Sequence, residues 1–233
     1  MEGRVEDEVQ SEGVSVELLV TPQLKQILQN SPDTFERFYK SDYRVFLDQL
    51  TEHGSVEQIY REVDKMVEIL LDSAGRDKVT CLKCTTPFCC SASVDASQDE
   101  IEHIKKYVKE NGIEADPEPM IKAYESVLGT KERGGNYLDE YFQLRVPCMF
   151  LKNGRCSIYS ERPISCRKYY VGNPVWSCSY ENGQGTESDV PVQVVTTISL
   201  EYLYAKVLEK DVKAGLVDTG KLRPMAYYFR KVQ

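Results

Sequence analysis

From residue 21 to residue 75 apolar side chains recur every three or four positions, the period of helices that each bury one face. Thr21-Pro22 and Ser31-Pro32 read as a cap followed by proline at the first helical position. Leu24, Ile27 and Leu28 share a face, then Phe35, Phe38 and Tyr39, then Val45, Phe46 and Leu50. Ser55 precedes a longer stripe through Ile59, Val63, Met66, Val67 and Leu70, with Gly75 as its stop. The period returns after Ser97-Gln98-Asp99-Glu100, a capping box that opens a helix through Ile101, Ile104, Tyr107 and Val108 to Asn111-Gly112. A second helix follows Asp116-Pro117, through Met120, Ile121, Tyr124 and Leu128 to Gly129. The last is predicted from Ser199 to Lys213, with Leu200, Leu203, Tyr204, Val207 and Leu208 inward and Gly215 ending it.

Where the helical period fails, the chain changes character. Residues 81 to 94 are cysteine-rich and contain Pro87, so an irregular loop is expected. Residues 130 to 180 read as loops with short strands at Tyr141 to Val146 and Cys156 to Tyr159. Asn153-Gly154 predicts a tight hairpin that sets Cys148 and Cys156 on neighbouring arms. The fold class is mainly α with a small irregular and β cysteine-rich core. The expected domains are an acidic tail at 1–17, with six acids against one arginine, a helical lobe at 18–76, and a cysteine-cluster domain at 77–233. The last carries a helical insert at 97–130 and the C-terminal helix at 199–215.

The eight cysteines are the candidate chemistry. Cys81, Cys84, Cys89 and Cys90 stand within ten residues; Cys148, Cys156, Cys166 and Cys178 follow a long insert at gaps of seven, nine and eleven residues. Cys-x-x-Cys lets one turn aim two sulfurs at one ion. Alone the spacing is weak, since redox motifs share it. Four close cysteines with four more downstream make a stronger case, and a site closed by both groups would convert binding energy into folding energy. His53 and His103 are the only histidines and read as ordinary helical positions, so the donors are thiolates. Sulfur-only sets suit zinc or an iron–sulfur cluster. A vicinal Cys89–Cys90 disulfide, or eight inert buried thiols, are the plainer alternatives.

Charge sharpens this picture. The chain carries a net −8, which argues against general nucleic-acid binding. Yet from Arg145 to Tyr170 six basic residues face one acid, Glu161. Arg155, Arg162, Arg167 and Lys168 are placed to balance a thiolate-rich centre. No segment holds the roughly 20 apolar residues that span a bilayer, and the N-terminus reads as no secretory leader, so a cytoplasmic protein with no membrane span is expected. Gly183-Gln-Gly185, Asp218-Thr-Gly220 and Ser165-x-x-Lys168 match fragments of catalytic motifs but lack the residues that would complete them.

The downstream segment has a wider resemblance. Cys81-x-x-Cys84 and the Cys89-Cys90 pair are followed by Pro147-Cys148, then Gly154-Arg-Cys156-Ser-Ile-Tyr159 and Arg162-Pro163-Ile-Ser-Cys166-Arg167. This pattern resembles the YkgJ-like family of zinc- or iron-chelating cysteine-cluster proteins, related to a flagellin lysine N-methylase. Four residues, with no glycine, precede the pair where the family more often has three. The resemblance implies Cys81, Cys84, Cys89, Cys90, Cys148, Cys156 and Cys166 as metal ligands, with Cys178 outside the motif. It implies an iron–sulfur cluster, favoured here, or zinc, with Arg155, Arg162 and Arg167 around it. Protein modification or redox chemistry on a protein substrate or partner would follow. A zinc-stapled interaction module without chemistry, docking through the 21–75 helices, and a thiol–disulfide switch at Cys81 and Cys84 remain open.

Overall fold

In the computed structural model the residues described are 26, 29–76, 88–132, 137–169, 197–214 and 224–230. They are mainly helical, as the pattern predicts. Past residues 26, 29 and 30, which are helical, come α1 (Pro32–Tyr39), α2 (Asp42–His53) and α3 (Val56–Ala74). Pro32 opens α1, although the Ser31 side chain makes no cap bond. Ser41 caps α2, and Ser55 with Gln58 forms a full capping box on α3. Thr21-Pro22 and the Leu24, Ile27, Leu28 face lie outside the described residues.

A 3₁₀ turn (Phe88–Ser91) leads to α4 (Gln98–Glu110) and α5 (Glu118–Glu132). The Ser97–Glu100 capping box is present on α4. Helix α5 runs past Gly129 to Glu132, because an isolated glycine weakens a helix by only about 1 kcal/mol. The expected strand at Tyr141 to Val146 is instead helical. Tyr137–Gln143 forms α6, then a turn at Leu144 and Arg145. The aromatic, β-favouring run there is overridden by burial of Tyr141 against α5.

The hairpin at Asn153-Gly154 forms. Strands β1 (Leu151–Lys152) and β2 (Arg155–Cys156) pair antiparallel, Leu151 opposite Cys156. Asn153 and Gly154 both take positive φ, 50° and 74°, as a primed two-residue turn requires. The strand expected from Cys156 to Tyr159 stops at Cys156, and the chain turns into a 3₁₀ helix (Tyr159–Glu161). A single-turn helix α7 (Ile164–Arg167) follows, then α8 (Ile198–Lys213) and a 3₁₀ segment (Met225–Phe229).

Two large apolar cores result among the described residues, beside smaller clusters. The first joins Leu47 of α2, Ile59, Val63, Val67 and Leu71 of α3, Ile164 of α7, and Leu200, Leu203, Val207 and Leu208 of α8. Every inward position predicted for α8 is buried, and so are Glu201, Glu209 and Asp211, so α8 is enclosed on nearly all sides. Phe46 and Val45, expected inward, are more than 40% exposed; α2 presents Leu47 and Thr51 instead. The second core joins Val94, Ile101 and Ile104 to Met120, Ile121, Met149, Phe150, Ile158 and Met225. Cys148, Cys156 and Cys166 pack along its margin.

Candidate metal centre

Each described cysteine is carried by a short element. Cys89 and Cys90 lie on the 3₁₀ turn, Cys148 follows α6, Cys156 ends β2, and Cys166 sits in α7. All five are half-buried free thiols. The two sequence clusters are tied through the backbone: Cys148 N–H donates to the Cys90 carbonyl at 2.6 Å. Cys81, Cys84 and Cys178 lie outside the described residues. Among the described residues no group of three Cys, His, Asp or Glu side chains converges as an ion-binding set.

The thiols nevertheless share one electrostatic neighbourhood. Burial pushes the Cys148 thiol up to about 11, with the Cys156 and Cys89 sulfurs adding to the shift. Cys166 lies well above its ordinary value, first through burial, then through Cys148, Cys89 and Cys156. Cys156 is raised by burial against the opposing pull of the Ile158 N–H and Arg162. Within the adjacent pair a sulfur–sulfur hydrogen bond lowers Cys89 and raises Cys90. Low-dielectric packing thus keeps most of these groups as neutral thiols unless a cation replaces the proton.

The basic residues divide. Arg162 bears on the sulfurs: its charge favours the thiolates of Cys89, Cys156 and Cys166, and its guanidinium stacks 4.0 Å above the Tyr159 ring. Arg155 is exposed on the hairpin. Arg167 is engaged by other partners. It donates to both Asp64 carboxylate oxygens on α3 at 2.7 and 2.9 Å, to the Arg162 carbonyl at 2.7 Å and to the Ser160 carbonyl. It also lies 3.9 Å over the Tyr60 ring. Lys168 donates to both oxygens of wholly buried Glu201 on α8, at 2.8 and 2.9 Å. The two residues after Cys166 therefore fasten its helix to α3 and α8.

A third fastening comes from Glu100. Its Oε2 accepts from Ser97 N–H at 2.9 Å and its Oε1 from Ile164 N–H at 2.8 Å, joining the start of α4 to the start of α7. Burial raises the Glu100 carboxyl, while those N–H donors hold it back. His103 is half-buried, with Nε2 at 2.7 Å from Glu161 and Nδ1 at 3.2 Å from Glu57. His53 is exposed on the rim of α2. Asp64, Glu201 and the second role of Glu100 were not read from the sequence. A lone acid inside the apolar run of α8 was the available signal for Glu201.

The thiols of Cys148, Cys156 and Cys166 thus lie along the margin of the second core. Residues 80–184, which contain all eight cysteines, match the family model CxxCxxCC, described as a "Putative zinc- or iron-chelating domain". That match supports a metal-binding cysteine-cluster protein. No curated protein and no solved structure matches the chain.

Proposed function

We propose that Cys81, Cys84, Cys89, Cys90, Cys148, Cys156 and Cys166 supply the ligands of one thiolate-bound metal centre, with an iron–sulfur cluster as the favoured occupant. The observation that carries this reading is the shared field of five free, half-buried thiols drawn from both sequence clusters. A thiolate set of this kind is stable only around a cation, and soft sulfur donors select iron–sulfur or zinc. Both ring nitrogens of His103 already face carboxylates, which leaves sulfur as the donor chemistry. When bound, a cluster would supply one-electron chemistry and a zinc ion would supply a structural staple. Arg162 would offset the negative charge of the bound thiolates.

The cysteine region at 77–233 then acts on a protein substrate or partner, in protein modification or redox chemistry, as the resemblance implies. A zinc-stapled docking module is the second reading, favoured by exposed Val45 and Phe46 on α2. Anaerobically purified protein separates the two. Brown colour that bleaches with dithionite, with iron and sulfide in matching amounts, is expected. Colourless protein with stoichiometric zinc would sink the iron–sulfur assignment.

A further inference from the structure

Tyr141 holds a hydroxyl that its packing does not explain. The side chain is wholly buried near the end of α6, clustered with Ala123, Tyr124 and Val127 of α5. Its ring meets Tyr124 edge-on at 6.3 Å. Phenylalanine would serve that packing equally well. The hydroxyl is closed off from solvent and has no hydrogen-bond partner among the described residues. A buried tyrosine oxygen ordinarily finds one.

The chain's path brings a cysteine back toward the same cluster. Leu144 N–H donates to the Tyr141 carbonyl at 3.1 Å, so α6 ends in a tight turn. The chain then returns through Val146, which packs on the same small cluster as Tyr141, and reaches Cys148 two residues later. The Cys148 sulfur is near enough to bear on the phenol electrostatically, and a tyrosine hydroxyl, which ordinarily titrates at about 10, is a proton donor throughout the neutral range. A neutral thiol is a weak acceptor for that donor. A metal-bound thiolate is anionic and a much better one.

We infer that the Tyr141 hydroxyl donates to the Cys148 sulfur once that sulfur binds metal, which makes Tyr141 a positioning residue for the centre. The inference rests on the metal reading above. It assigns to the loaded protein a hydrogen bond that metal-free protein lacks, so its loss should be felt in one state only.

The test uses the full chain, wild type and Tyr141→Phe, stripped of metal and titrated with zinc ion against a chelator. Thermal midpoints are recorded with and without zinc. The expected result is a fall in zinc affinity of about tenfold, as outer partners of metal ligands typically give. The metal-free midpoint of Y141F should stay level or rise, because an orphaned hydroxyl has been removed. Equal zinc affinity in the two proteins would overturn the hydrogen bond and leave the metal reading standing. An equal drop in midpoint with and without zinc would also overturn it, by showing a structural partner unrelated to the metal. Wild-type protein that takes up no zinc under these conditions would defeat both.

Discussion

The helical core around α3 and α8 and the cysteine-bearing core beside it are built on different terms. In the first, long capped helices bury Leu47, Val63, Leu71, Leu200 and Leu203 completely. Apolar burial, at about 25 cal/mol per Å², is the main force that favours such packing. In the second, the cysteine-bearing elements are a 3₁₀ turn, two-residue strands and a single helical turn. Elements that short do not hold themselves together. The helical turn α7 is fixed by its attachments, Glu100 to Ile164, Arg167 to Asp64 and Lys168 to Glu201, and the 3₁₀ turn is tied to Cys148 through the Cys90 carbonyl.

This contrast breaks most visibly at the clamps. Lys168→Met should destabilise the protein by about 3–5 kcal/mol, since it strands the buried Glu201 carboxylate. Adding Glu201→Met should recover much of the loss, because an apolar pair of similar size replaces the ion pair. Chemical denaturation of the single and double variants measures both effects.

Within the helical core, Leu203→Ala removes a wholly buried side chain and should cost about 3 kcal/mol. The cost should be the same with metal and without it, as read from denaturation midpoints in both states. A loss confined to one state would show that α8 is not independent of the centre. Ser97→Ala acts at the join between the cores. It removes the hydroxyl that caps Glu100 N–H at 3.3 Å and should cost about 1 kcal/mol. It also loosens the residue that grips Ile164, so hydrogen exchange in α7 should quicken more than in α3.

The smallest effect is a pH dependence. Burial alone would raise the Glu161 carboxyl, but hydrogen bonds from His103 and Ser160 outweigh it and hold the group below the ordinary 4.5. A carboxyl whose folded value is depressed stabilises the fold above its unfolded value, and that contribution disappears as pH falls through the folded value. Stability below about pH 4.5 should therefore fall more steeply in wild type than in Glu161→Gln, followed by thermal melts across the acid limb.

The helices were legible because their signals are local: Ser55, Ser97 and the three-and-four spacing of Ile59, Val63 and Leu70 each act within a few residues. The Asn153-Gly154 hairpin was legible for the same reason, its turn chemistry being confined to two residues. Tyr141 to Val146 reads as a strand in the sequence because its aromatic content favours either state, and packing on α5 decides it. Arg167 shows the other limit. Its neighbours in sequence suggested a thiolate partner, whereas its partner in space is Asp64, more than a hundred residues away. Charge count along a segment says nothing of which way each side chain turns. The charge of Arg162 does reach the described sulfurs of Cys89, Cys156 and Cys166.

The most direct test of a metal centre closed by both cysteine clusters is elemental analysis of wild type beside a Cys148→Ser, Cys156→Ser double variant, with helix content recorded in parallel. The account predicts stoichiometric zinc or iron in wild type, lost from the variant, with the helical signal of α2, α3 and α8 largely retained. Metal content unchanged by the double substitution, or wild-type protein purified anaerobically without metal, would contradict it.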